Sequence, residues 1–204
     1  MLLDLWLGKE GVTYFLEDEV VALIKQHIQS LDSDVDQLEG LGAINFLELD
    51  DIKVSAEGEV LEPESVVQLQ LGPDEPLPDV LSEALKAIFL EALSRTGKKW
   101  VILTDRNNTP RYGLDADGFL RYLTRQPKGG SLRRYCHQPI VVTSPEMTMG
   151  QAMQRFRVRA EHPEDDVIDH DLILYWGQTK RIITGSDILG RLLRGIVRQT
   201  RKKR

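Results

Sequence analysis

The chain has 204 residues, of which 41% are hydrophobic and 28% charged, a balance that is ordinary for a soluble globular protein of one or two domains. No window approaches 18 consecutive apolar residues, which excludes a membrane-spanning helix within this sequence. Cys136 is the single cysteine, which excludes an internal disulfide and a cysteine-based zinc site within one chain.

The net charge of -6 conceals two halves of opposite sign. Residues 1–100 contain 7 basic against 21 acidic side chains, and residues 101–204 contain 19 basic against 11 acidic. Part of the basic excess lies in the tail at 194–204, which could contact an anionic membrane surface, bind nucleic acid or form a solvated end. We favour the solvated end. Overall acidity and the lack of a recognition motif make nucleic acid the least favoured partner.

The predicted elements begin with an amphipathic helix through residues 17–31, where Leu16, Val20, Ile24, Ile28 and Leu31 recur at helical spacing. Residues 32–60 are acidic and have no clean period, so they are predicted to form loops and short strands. From Ser65 onwards the apolar pattern predicts the order strand, helix, strand, strand, helix. The segments are 65–71, 80–93 (ended by Gly97), 98–105, 111–115 and 116–124.

The same order returns after a loop of about 14 residues that contains Pro127, Gly129 and Gly130. The predicted segments are 139–143, 149–160 (capped by Ser144 or Thr148), 171–176, 180–184 and 188–197 (capped by Ser186 or Asp187). The order of elements is repeated at a spacing of about 75 residues, although the letters are barely similar. This predicts an internal duplication of structure rather than of sequence.

Residues 139–198 resemble a CBS domain. In such a domain the exit of the β-hairpin usually reads Gly-apolar-apolar-Thr-x-x-Asp. The chain has RIITGSD there, so Thr184 and Asp187 match while Arg181 stands where glycine is usual. Residues 65–125 resemble a degenerate first unit, with Asp115 and Gly118 at the motif positions. The resemblance implies an α/β (α+β) fold of two β-α-β-β-α units, packed as a pseudo-symmetric pair that often forms homodimers.

The stretch 42–63 followed by such a pair is similar to the cytosolic part of haemolysin-like, CorC-type proteins linked to magnesium and cobalt transport. That resemblance implies a cytoplasmic module, at the cytosolic face of the inner or plasma membrane, with a transmembrane transporter domain as partner. The chain would then be a cytosolic fragment or a shortened relative. The expected domains are a helical and acidic segment (1–64), the first unit (65–125), a basic linker (126–138), the second unit (139–198) and a basic tail (199–204).

The resemblance implies a regulatory site for an adenine nucleotide (AMP, ADP or ATP), with Mg2+ as a further candidate. The N-terminus of a helix favours a phosphate, and an Asp one turn on can accept bonds from ribose hydroxyls. The backbone at the end of the first strand is expected to meet the adenine edge, with Ile168 or Leu172 covering its face and Arg181 reaching the phosphates. The expected site residues are Thr143, Ile168, Leu172, Arg181, Thr184, Ser186 and Asp187.

Several alternatives stay open. Thr184 to Asp187 is also the pattern of a helix cap, and a pair that has lost its ligand would serve as a dimerisation or interaction scaffold. Residues 162–171 hold two histidines and four aspartates, and we interpret them as a solvated loop, so no metal site is predicted. No GxGxxG, Walker, nucleophile-elbow or triad pattern occurs, and the sequence therefore predicts no catalytic residues and no enzyme.

Overall fold

The structure, a computed structural model, describes residues 16–30, 34–73, 75–78, 82–125, 132–157 and 171–197, with backbone alone at 85, 124 and 125. Packing divides the chain into two compact units, residues 1–50 with 189–204 and residues 51–188. The described α-helices are α1 (Glu17–Ile28), α2 (Gln37–Asp50), α3 (Glu83–Thr96), α4 (Ala116–Arg125), α5 (Met149–Met153) and α6 (Gly185–Leu192). The described strands are β1 (Glu59–Val60), β2 (Val66–Gln68), β3 (Trp100–Thr104), β4 (Pro110–Asp115), β5 (Cys136–His137), β6 (Ile140–Val142), β7 (Leu172–Tyr175) and β8 (Arg181–Thr184).

The smaller unit is built on the contact between α1 and α2. Gly40 is the point of close approach, because a Cβ there would collide with the Ile28 side chain. Asn45 is 9% exposed, and its Nδ2 donates to the carbonyls of Leu192 at 2.9 Å and Arg194 at 2.8 Å. Carbonyls at and just after the end of a helix lack intrahelical partners, and this amide supplies two of them with a donor.

Helix α2 corrects the prediction of loops and short strands for residues 32–60. The apolar residues of α2 do not all lie on its buried face: Phe46 is 52% exposed, while Gly40 and Asn45 are buried. The sequence therefore lacks the 3.6-residue apolar periodicity that predicts a helix. A local signal was present in Asp36 and Glu39. Asp36 Oδ1 accepts from the Glu39 N–H at 2.8 Å and Glu39 Oε2 accepts from the Asp36 N–H at 3.1 Å, which is a capping box.

The larger unit contains two four-stranded sheets of the same topology, in the orders β2-β3-β4-β5 and β6-β7-β8-β1. In each sheet the first two strands are parallel and the other neighbours are antiparallel. The predicted duplication of structure is therefore confirmed. Helices α3 and α4 belong to the first repeat, and α5 and α6 occupy the corresponding places in the second.

Two short strands belong to the sheets of the repeats but lie outside the residue ranges predicted for those repeats. Strand β1 precedes the first repeat, yet it pairs with β8 through Glu59 and Ile182. Strand β5 lies in the predicted basic linker, yet it pairs with β4 through His137 and Gly113. Each repeat therefore obtains its fourth strand from outside its predicted range.

The main hydrophobic core fills the first repeat, where the sheet packs on α3 and α4. Phe89 and Phe119 meet edge to face, with ring centroids 6.1 Å apart, and the Phe119 ring also contacts that of Tyr135 at 5.9 Å. A second cluster joins the two sheets through the fully buried side chains of Ile102, Leu172 and Leu174. Within the described ranges, no helix combines the length and apolar character needed to cross a membrane.

The helix starts depend on polar side chains. Thr148 caps α5: its hydroxyl accepts from the Gln151 N–H at 3.3 Å, and Gln151 Oε1 accepts from the Thr148 N–H at 3.2 Å. Of the two caps predicted for this helix, Thr148 is therefore the one used. The helix ends at Met153, so the predicted helix over 149–160 is too long: residues 154–157 are not helical, and residues 158–160 lie outside the described residues. Gly97 follows α3 with a φ of 54°, as expected of a helix-ending glycine.

Candidate nucleotide-binding site

The larger unit contains an open cavity of about 280 Å³, close to the lower end of the range for small-molecule sites. One wall is the turn that leads from β8 into α6, residues 184–187. The opposite surfaces come from residues 98–100 at the start of β3 and from residues 59–62 around β1. Three segments that are far apart in the sequence therefore converge on the Thr-x-x-Asp motif.

The motif turn is a closed network of hydrogen bonds. Asp187 Oδ2 accepts from the backbone N–H and from the hydroxyl of Thr184, both at 2.8 Å, and Thr184 Oγ1 accepts from the Asp187 N–H at 3.4 Å. Thr184 is thus the N-cap of α6, which corrects the predicted cap at Ser186 or Asp187. Asp187 occupies the third helical position of a capping box.

This capping box leaves groups that can receive a ligand. Asp187 Oδ1 makes no hydrogen bond to the described residues, so it can accept from a ligand hydroxyl while Oδ2 holds the turn. The N–H groups of Gly185 and Ser186, in the first turn of α6, have no intrahelical partners, and both residues line the cavity. Capping and ligand contact are therefore compatible at this turn.

Residues 98–100 supply the basic and aromatic wall. Lys98 Nζ lies 3.1 Å from Glu62 Oε1, and Lys99 Nζ lies 5.4 Å from the centre of the Trp100 ring. The sequence analysis named no residue of this wall, because residues 98–100 were assigned only to a strand. One signal was available: Lys98 and Lys99 are the only adjacent basic residues in the acidic first 100 positions.

The cavity has more acidic than basic groups. Lys98 and Lys99 face four carboxylates, those of Glu59, Glu62, Asp171 and Asp187, so two positive charges oppose four negative ones. Asp171 is ionised over the neutral range, because the His137 side chain lowers its pKa by hydrogen bonding and by its charge, and this outweighs the opposing effect of partial burial. An anionic ligand therefore needs additional positive charge to bind tightly here.

Comparison with known proteins identifies the fold. No family model matches the chain, and no curated protein matches it. Among solved structures, the chain is similar to the CBS domain of the bacterial CNNM/CorC family Mg2+ transporter, with 14% sequence identity and a TM-score of 0.57. The match covers 91% of this chain and 100% of that one. The chain has the CBS-domain fold. The resemblance predicted from the sequence is confirmed, as a statement about the fold.

In this CBS fold, Arg181 does not point to the motif turn as predicted. Its Nη1 donates to the carbonyl of Gly58 at 2.9 Å and approaches that of Glu57 at 3.5 Å. Arg181 pairs with Val60 of the neighbouring edge strand β1, so its side chain lies beside the turn that precedes β1. Arg181 therefore stabilises the segment that carries Glu59 to Glu62 into the cavity, and it is not among the lining residues.

The structure also separates Thr143 and Leu172 from the cavity. Val142, the residue before Thr143, pairs with Tyr175 at one end of β7. Thr184 pairs with Leu172 at the other end of β7. The two ends are three residues apart, which is about 10 Å along a strand. Leu172 is fully buried between the sheets, and it faces Gly113. Ile168 lies outside the described residues. Of the seven predicted residues, Thr184, Ser186 and Asp187 line the cavity.

The first CBS repeat has an equivalent turn with different chemistry. Asp115 precedes α4 as Thr184 precedes α6, and its Oδ1 accepts from the Gly118 N–H at 3.1 Å. A Cβ at position 118 would lie 2.6 Å from Asp115 Oδ2, so the motif aspartate cannot simply be restored there. The correspondence of Asp115 and Gly118 with Thr184 and Asp187 thus agrees with the structure, and the turn before α4 has a carboxylate where the turn before α6 has a hydroxyl.

Proposed function

We propose that the chain is a non-catalytic regulatory module that binds an adenine nucleotide in this cavity. The observation that supports the proposal is the convergence of the Thr184–Asp187 turn with Lys98, Lys99 and Trp100 around one cavity. The similar solved structure belongs to a Mg2+ transporter, and we propose that this module likewise modulates a divalent-cation transport protein at the cytosolic face of a membrane.

Each part of a nucleotide has a matching group. The N–H groups of Gly185 and Ser186, at the positive end of α6, suit a phosphate. Asp187 Oδ1 suits the ribose hydroxyls. The Trp100 indole, together with Leu61 and Ile182, offers an aromatic and apolar surface for the base. Lys99, which lines the same wall, adds a charge for the phosphates.

The excess of carboxylates argues for a divalent cation bound with the nucleotide. A free polyphosphate would add its own negative charge to a cavity in which four carboxylates already face two lysines. Mg2+ coordinates phosphate oxygens and reduces that charge, so we propose Mg2+ as a co-ligand. Affinity for ATP is therefore expected to be higher with Mg2+ than with EDTA, and affinity for AMP is expected to depend less on Mg2+.

Thermal unfolding with AMP, ADP and ATP, with and without Mg2+, tests the proposal. A nucleotide at 100 times its dissociation constant should stabilise the protein by about 2.7 kcal/mol. Asp187→Asn should abolish this shift, because its amide oxygen can still cap α6 while its NH2 group cannot accept from the ribose. Asp115→Asn is the matched control, since Asp115 is the N-cap of α4 in the corresponding turn of the first repeat and its amide oxygen can keep the bond from Gly118; it should respond as the wild type does.

Two results would contradict the proposal. The first is a melting temperature that no nucleotide changes, with or without Mg2+. The second is an Asp187→Asn variant with wild-type nucleotide affinity measured by calorimetry, which would show that the cavity is not the binding site. Unchanged far-ultraviolet circular dichroism of both variants is needed to attribute any loss to ligand contacts.

The second candidate function is an interaction scaffold that forms a homodimer or docks a transporter domain without a nucleotide. It is favoured by Arg181, which bonds backbone carbonyls instead of facing the cavity, and by Asp115 in the first repeat. Sedimentation equilibrium separates the two functions. A tight dimer that is indifferent to nucleotides supports the scaffold, whereas a monomer that binds a nucleotide supports the sensor.

A further inference from the structure

His137 lies behind the cavity wall, on the short strand β5 at the edge of the first sheet. Its ring meets the Trp100 ring edge to face, with centroids 5.0 Å apart and planes at 89°. Its Nδ1 lies 3.2 Å from Asp171 Oδ1. Trp100 and Asp171 line the cavity, whereas His137 is absent from its lining.

The position of His137 therefore joins two cavity groups of different chemistry. Trp100 is the aromatic surface of the wall, and Asp171 is one of its four carboxylates. The side chains of His137 and Asp171 are 37% and 40% exposed, so the charge of the imidazole is only partly screened by water. On β4, the residue that faces His137 is Gly113, which contributes no side chain.

We infer that His137 is a positioning residue that sets the affinity of this cavity for an anionic ligand, through its protonation and its contact with Trp100 and Asp171. The inference rests on the proposed function, since it concerns the ligand of the same cavity. When His137 is protonated, its charge offsets that of Asp171, and one of the four carboxylates ceases to repel the phosphates. When His137 is neutral, the full negative charge of Asp171 remains.

The sign of the pH dependence follows from this arrangement. Histidine side chains titrate between about pH 5 and 8, while Asp171, whose pKa is lowered by His137, stays ionised across that range. Among the described residues, Lys99 is a further charged group near this pair, and its charge also lowers the pKa of Asp171. The contribution of His137 to nucleotide affinity is therefore expected to rise as the pH falls from 8.5 to 5.5, by about fivefold for one offset charge.

The test compares dissociation constants for AMP, measured by calorimetry at pH 5.5, 7.0 and 8.5, between the wild type and His137→Phe. Phenylalanine keeps a ring against Trp100 but cannot carry a charge. The ratio of variant to wild-type constants cancels the titration of the phosphate itself. We expect a ratio near one at pH 8.5 and about five at pH 5.5. Asp171→Asn should bind about five times more tightly than the wild type at pH 8.5 and lose the pH dependence.

The matched control is His27→Gln, since His27 lies on the exposed surface of α1 in the other unit. His170→Gln is a second control, because His170 adjoins Asp171 in the sequence. Both should keep the wild-type pH profile. If His137→Phe does not fold, His137→Gln takes its place. A ratio that is constant with pH, or a profile lost in His170→Gln instead, overturns the inference while nucleotide binding stands. A wild type that binds no nucleotide at any pH overturns the proposed function and this inference together.

Discussion

Replacing Gly58 with alanine is expected to lower the free energy of unfolding by about 2–4 kcal/mol. Gly58 has a φ of 74°, a conformation that side chains with a Cβ rarely adopt. A Cβ at this position would also collide with the Ile182 carbonyl oxygen and lie 2.5 Å from Ile183 Cγ1. The carbonyl belongs to the backbone of β8, so it cannot rotate away as a side chain could. Denaturation in urea measures the loss.

The same substitution should also weaken nucleotide binding. Gly58 directly precedes β1, and its carbonyl accepts from Arg181. Displacing this turn would move Glu59 to Glu62, which line the cavity. We therefore expect Gly58→Ala to bind MgATP more weakly than the wild type when the dissociation constant is measured by calorimetry well below the melting temperature of the variant.

Comparing Gly58→Ala with Gly195→Ala separates the cost of an unfavourable φ from the cost of a steric collision. Gly195 has a φ of 76°, nearly the value at Gly58, but a Cβ there would meet nothing within 4 Å. Its substitution should cost about 1 kcal/mol, from the unfavourable φ alone. Equal losses for the two variants would show that packing against β8 does not matter at Gly58.

Phe119→Ala is expected to destabilise the protein by about 3–5 kcal/mol, the usual cost of removing a buried aromatic ring. The side chain is 1% exposed, and its ring makes edge-to-face contacts with Phe89 and Tyr135. Both partners are rings fixed by α3 and by the segment before β5, so the surroundings cannot easily collapse into the cavity left behind. The midpoint of urea denaturation should fall accordingly.

Phe46→Ala provides the comparison for this prediction. Phe46 lies on α2 and is 52% exposed, so truncating it removes far less buried surface. A change below about 1 kcal/mol is expected. If Phe119→Ala were no more costly than Phe46→Ala, the core of the first repeat would be packed differently from the structure described.

Local patterns in the sequence were sufficient for the regular elements of the larger unit. The apolar run at 100–104 predicted a buried strand, and Val101, Ile102 and Leu103 are fully buried in β3. The turn signal at residues 107–110 lies where β3 passes into β4, and Asn108 has a φ of 59° there. Helix α2 was missed because Gly40 and Asn45 share its buried face with Ile44 and Leu49, while Phe46 is exposed, so its apolar residues do not register as one face.

The candidate site could be predicted only where its chemistry is local. Thr184 and Asp187 belong to one turn, and four consecutive residues were enough to find them. Lys99 and Asp171 reach the cavity from positions directly before β3 and β7, so their placement depends on how the two sheets pack. Arg181 was assigned to the ligand from its position near the motif, but the pairing of β8 with β1 decides which way it faces.

The pairing of β1 with the second sheet has a consequence for how the protein folds during synthesis. Glu59 is made early, but its partner Ile182 follows 123 residues later, so the second sheet can be completed only when nearly the whole chain has emerged. The first sheet likewise waits for His137. Contacts so distant in sequence slow folding. Because β1 precedes the first repeat but pairs in the second sheet, we expect the two repeats to unfold together. A ribosome-bound chain ending before residue 180 should therefore expose an unpaired β1, and its first repeat should be less protected from proteolysis than in the finished protein.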